Sequence, residues 1–159
     1  MIVLLLDHLL KLVLASFIGF LVGLERSSRR GSQIGVGTTS NLITGVCLLT
    51  IISANCLPGS DPSRLIANII TAIGFLCGGV IFTKPTDDDT NDQEVVGLTT
   101  GATLFSLAGV GIAIGLGYYG LAISTTIIIE LNILASRLIK KCAKKENSVI
   151  LELTISLFI

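Results

Sequence analysis

The chain has 159 residues, of which 51% are hydrophobic and only 14% charged, and its mean hydropathy is +0.86. A soluble domain carries about 25% charged residues, so too few polar side chains are present to coat a water-facing surface. Lys plus Arg and Asp plus Glu number 11 each, which removes any global pull towards nucleic acid, and 17 glycines against 3 prolines fit neither a disordered nor a collagen-like chain.

A helix that crosses roughly 30 Å of hydrocarbon at 1.5 Å per residue needs about 20 mostly apolar residues. Five stretches satisfy this, at about 3–24, 36–57, 63–83, 97–117 and 118–139. Backbone groups in lipid must bond internally, which makes these stretches helices. The sequence therefore predicts an all-α membrane protein: a compact bundle of five transmembrane helices over residues 1–140, followed by a basic tail over 141–159. Span one begins with Asp7 rather than a basic run, and Arg26, Arg29 and Arg30 follow it, so it is expected to stay as an anchor rather than be cleaved as a signal peptide.

Between spans two and three, Leu57–Pro62 reads as a turn, with Asp61 as N-cap and Pro62 at the first helical position. Between spans three and four, Thr86–Glu94 is strongly polar and reads as a solvated connection. An EF-hand would require Gly and Glu at positions six and twelve, where counting from Asp87 gives Asp92 and Leu98. Gly115–Gly120 is a tight turn that places Tyr118 and Tyr119 in an aromatic belt. After Lys145, residues 148–159 partly alternate in polarity, which predicts a strand that pairs with a partner or begins a further domain.

Lys and Arg set the orientation. If the spans alternate, all of them except Lys11 and Arg64 fall on one side, which predicts the N-terminus outside and the C-terminus in the cytoplasm.

Helices in lipid associate by close packing, and glycines four residues apart line one face. Gly19 and Gly23, Gly74 and Gly78, Gly97 and Gly101, and Gly111 and Gly115 have this spacing, and the contacts they imply lie within one chain or between chains. Polar residues form stripes too, with small or apolar members between them: Arg64, Asn68, Thr71, Phe75 and Gly78 on span three, Thr99, Thr103, Ser106 and Ala113 on span four, and Thr126, Glu130 and Arg137 on span five. The hydroxyls are expected to bond to neighbouring helices. Ionisable groups in hydrocarbon are candidates for function, namely Glu25, Arg26, Asp61, Arg64 and Glu130, and with the polar Asn68, Thr99 and Thr103 they make up the set singled out. No catalytic residue is expected: His8 is the sole histidine, and hydrolase, zinc-protease and phosphate-loop motifs are missing. Cys47, Cys56, Cys77 and Cys142 show no Cys-x-x-Cys spacing.

Four motifs stand in order: Gly23-Leu24-Glu25-Arg26, Asp61-Pro62-Ser63-Arg64, Ile73-Gly74-Phe75-Leu76-Cys77-Gly78-Gly79, and Gly97-Leu98-Thr99-Thr100-Gly101-Ala102-Thr103-Leu104-Phe105. In order and spacing they resemble the MgtC/SapB family over roughly residues 12 to 137. The resemblance implies a bacterial inner-membrane protein tied to growth at low magnesium and to survival inside host cells, with characteristic positions at Glu25, Arg26, Asp61, Arg64, Gly74, Gly78, Thr99 and Thr103. The chain departs from the family pattern at Gly35-Val36-Gly37-Thr38 and at Val96, where the family has arginines, and at Phe105, where a tryptophan is common. The acidic run from Asp87 to Glu94 looks like an insertion. Longer members carry a cytoplasmic domain of which at most the first strand would remain here.

Two functional expectations follow. The first is a non-enzymatic regulator, without cofactor, that acts in the lipid bilayer on other membrane proteins and has the packing faces to form a homo-oligomer. The alternative is a Mg²⁺ transporter or channel with Glu25, Asp61 and Glu130 as ligands; the residues by themselves define no metal site.

Overall fold

The computed structural model describes residues 2–27, 35–55, 61–85 and 93–157, without the side chains of 62, 83–85, 93–94 and 140–157. The helices are α1 (Ile2–Ser27), α2 (Val36–Asn55), α3 (Pro62–Val80), α4 (Leu98–Gly115) and α5 (Tyr119–Leu157). All five are long and apolar enough to cross a membrane, α5 through its Tyr119–Ile139 part. The five expected spans therefore exist as helices. The expected turn over Leu57–Ser60, the acidic run Asp87–Asp92, and Arg29, Arg30 and Cys56 lie outside the described residues.

The structure corrects the sequence reading in two places. Val80 does not run straight into the polar connection. Instead β1 (Phe82–Pro85) and β2 (Gln93–Val96) pair antiparallel, with Phe82 opposite Val96 and Pro85 opposite Gln93. Four-residue strands are too short to show a period, and Pro85 is tolerated because a two-stranded ribbon has only edges. The second correction concerns the tail: α5 continues as helix through Leu157 where a strand was expected over 148–159. No glycine or proline follows Gly120, and Lys140-Lys141-Cys142-Ala143-Lys144-Lys145-Glu146 is rich in good helix formers, so nothing in the sequence ends the helix.

Contacts divide the chain into two units, Met1–Thr126 and Ile127–Ile159. In the first, α1 packs most extensively on α2, α2 on α4, and α4 on α3. α4 is the innermost helix, and Leu104, Leu107 and Ile114 from it join Ile43 of α2 as the largest fully buried side chains. The outward side of α1 is the opposite in character: Val13, Phe17, Phe20, Leu21 and Leu24 are all exposed. Such a continuous apolar face requires lipid around it. The second unit consists of the remainder of α5.

Candidate functional site

Small residues decide where α1 and α2 meet. A Cβ added at Gly19 would lie 2.6 Å from Ser40 Cα, and one at Gly23 would lie 2.7 Å from Val36 Cα. The two backbones therefore touch along one line of α1, which only glycine permits. That closeness brings Thr39 Oγ1 within hydrogen-bond reach of Gly19 O at 2.9 Å, fully buried, and of its own helix's Val36 O at 3.0 Å. One turn further along α1, Ser16 and Ser40 hydroxyls lie 3.1 Å apart. At the far end of the pair, Asn55 Nδ2 is 3.5 Å from His8 Nε2, and Lys11 pairs with Asp7 at 2.9 Å.

α4 uses its glycines the same way on two neighbours. A Cβ at Gly111 would lie 2.8 Å from Ile43 O, and one at Gly115 would lie 2.6 Å from Thr50 Cβ, both on α2. At the start of the helix, Gly101 faces Cys77 O of α3 at 3.1 Å. Gly97 has a different task. It leaves the hairpin with φ +92°, a left-handed conformation, and a Cβ there would collide with Val80 O. The hairpin thus turns tightly enough to bring the end of α3 against the start of α4.

Gly74 and Gly78 behave differently, since added Cβ atoms there would meet nothing within 4 Å. Phe75 between them is 87% exposed. Arg64, Asn68 and Thr71 are exposed on the same helix.

The hydroxyls correct a further expectation. Thr44, Thr50, Thr71, Thr103, Ser106, Thr126 and Ser136 each donate to the carbonyl four residues earlier in their own helix, Thr103 to Thr99 O at 2.7 Å. A hydroxyl one turn from an acceptor needs no neighbour to be satisfied. Across helices, the α1–α2 seam carries hydroxyl bonds from Thr39 to Gly19 O and from Ser40 to Ser16 O, beside the Ser16–Ser40 hydroxyl contact.

Apart from Glu130, the singled-out residues fall into two groups. Glu25, half-buried, and Arg26, 4% exposed, end α1 and each engages a partner. Exposed Thr99 and buried Thr103 start α4, which lies parallel to α2 and so begins at the same end. Asp61, Arg64 and Asn68 start α3 at the other end, about 30 Å away, the length of the 20-residue α2. Asp61 caps α3: Ser63 donates its hydroxyl to Oδ2 at 2.7 Å and its backbone N–H to Oδ1 at 2.9 Å. Those two bonds, the hydroxyl's first, hold the carboxyl below its ordinary value. Glu130 is half-buried in the second unit and also engages a partner. Among the described residues no three His, Cys, Asp or Glu side chains gather as metal ligands.

Sequence reasoning missed Thr39, Thr50 and Ser53, all buried on α2. The signal for Thr39 was the polar run Thr38-Thr39-Ser40 near the start of an otherwise mostly apolar span, opposite the glycine line. It could be read only once Gly19 was known to face α2.

The helices and their glycine seams define a multi-pass membrane protein. The MgtC family profile matches residues 12–142, and the chain belongs to the MgtC family. It is 35% identical over 153 residues to an uncharacterised protein of Haemophilus influenzae, covering 89% of this chain and 61% of that one. Protein SapB of Bacillus subtilis is 36% identical over 135 residues, covering 80% and 55%, and Protein MgtC of Salmonella typhimurium is 35% identical over 140 residues, covering 88% and 55%. The chain thus spans somewhat over half the length of these relatives. No solved structure matches it significantly.

Proposed function

We propose that this chain is a non-enzymatic regulator in a bacterial inner membrane, acting on other membrane proteins under low magnesium or inside host cells, with its N-terminus outside and its C-terminus in the cytoplasm. The observation that carries this reading is how the interior of the first unit is filled. Helix backbones meet at Gly19, Gly23, Gly111 and Gly115, and Ile43, Leu104, Leu107 and Ile114 occupy the space between them. An interior closed by backbone contacts and large apolar side chains suits a scaffold that presents its faces to partners. The competing reading is Mg²⁺ transport. Mg²⁺ keeps several waters and takes one or two carboxylates, which calls for a wet path, and Glu25 and Asp61 stand at opposite ends of the unit.

Two measurements separate the readings. Affinity purification in mild detergent, at native expression, is expected to recover a membrane-protein partner in fixed ratio. Liposomes containing folded protein are expected to show no Mg²⁺ flux above empty liposomes, and flux that depends on Glu25 or Asp61 would overturn the regulatory reading.

A further inference from the structure

Four glycine pairs with four-residue spacing occur in the helices or at their caps, and three of them are occupied. Gly19 and Gly23 seat α2, Gly97 and Gly101 seat the end of α3, and Gly111 and Gly115 seat α2 again. The fourth pair, Gly74 and Gly78, lies on an α3 face where an added Cβ would find open space, as it would at Gly79. This face also differs from a lipid-facing one. α1 exposes Val13, Phe17, Phe20, Leu21 and Leu24, whereas α3 exposes Arg64, Asn68 and Thr71 alongside Ile70, Phe75 and Leu76, with Phe75 among small neighbours. Asn68 lies about 9 Å along α3 and Thr71 about 14 Å, well inside hydrocarbon for a helix of this length. Lipid tails offer an amide no hydrogen bond, so an exposed Asn at that depth is costly without a protein neighbour.

The face is complementary to itself. Two copies inserted the same way in one bilayer present parallel α3 helices, and a two-fold axis along the membrane normal sets each residue beside its own counterpart. A carboxamide both donates and accepts, so Asn68 can pair with Asn68 of a second copy. Phe75 stands within a ring of Thr71, Ala72, Gly78 and Gly79, at i−4, i−3, i+3 and i+4, which places a large knob directly beside a hollow of matching kind. Asp61 and Arg64 are both exposed at the start of the helix, and crosswise pairing would match their opposite charges. We infer that the outward face of α3 is the docking surface for a second copy of this chain, centred on Asn68, Thr71, Phe75 and Gly78. The inference does not depend on whether the protein regulates or transports.

The test is oxidative cross-linking of the full chain in native membranes. Phe75→Cys is expected to give a band of twice the monomer mass above the level set by the parent's own cysteines, and Leu21→Cys on α1 is expected to give none. Adding Gly78→Leu to Phe75→Cys should fill the hollow and lower cross-linking roughly tenfold, in line with the cost of overpacking a close contact. Because a Cβ added at Gly78 meets nothing within 4 Å among the described residues, that variant should unfold at the parent's temperature, which separates loss of docking from loss of fold. Three results would overturn the proposal: a Phe75→Cys chain that stays monomeric while reacting freely with a maleimide, a cross-link to a different protein, or an intrachain bond when Leu131→Cys is added on α5.

Discussion

The seams of α1, α2 and α4 and the outward face of α3 carry the same glycine spacing but have different surroundings. Along the seams, each glycine is the place where another backbone passes, so the missing side chain is itself the contact. On α3 the spacing borders open space and polar side chains. The comparison teaches that a glycine pattern marks a helix able to approach another, and that the neighbours decide whether the approach is already made.

The largest expected effect sharpens this contrast directly. Gly115→Leu drives a side chain into Thr50 and the Cys47 carbonyl, and should abolish a stable fold or cost at least about 3 kcal/mol, while Gly78→Leu leaves unfolding in detergent within about 0.5 kcal/mol of the parent. Equal losses for the two would break the distinction. Next comes Gly97→Ala, which must hold an L-residue in a left-handed conformation against Val80 O. At least about 1–2 kcal/mol of stability should be lost through the left-handed conformation alone, read from thermal unfolding. Thr39→Val removes the buried bond to Gly19 O but keeps the shape, and a hydrogen bond between helices in a membrane is worth about 0.6 kcal/mol on average. The measured loss should lie near that value.

The smallest effect concerns pH. The carboxyl of Asp61 is held low in the folded state, so its contribution is present above the unfolded value and is lost as pH falls through the folded value, on the acid side of the ordinary carboxylate range. An unfolding series into acid should show a shallow loss for the parent. Asp61→Asn, which also caps helices, should flatten it.

The sequence shows five helices plainly because crossing a bilayer demands run lengths that no other element supplies. It shows the Asp61 cap and the glycine lines for the same kind of reason, since each is a local rule. It conceals whatever depends on a neighbour. Thr39 matters because Gly19 lies opposite, and Thr103 bonds its own Thr99 carbonyl although its position would equally suit a cross-helix bond. Glu25 and Arg26 were legible as candidates, but the 4% exposure of Arg26 follows from packing around the end of α1. The helical course of residues 148–157 was masked by a short alternation of Leu, Ile and polar residues, which carries less information than the absence of any breaker after Gly120.

The helices also differ in length in a way that bears on the surrounding bilayer. α4 has 18 residues and α1 has 26, about 27 Å and 39 Å of rise, against a hydrocarbon layer of roughly 30 Å. His8 is level with Asn55 at the end of α2, so Ile2–Leu6 extends past that level with its apolar side chains exposed. A membrane thin enough to match α4 leaves this first turn of α1 stranded unless the helix leans, and a thicker one stretches the reach of α4 instead. Hydrophobic mismatch is thus built into the unit, and the thickness of the host membrane sets the tilt of α1.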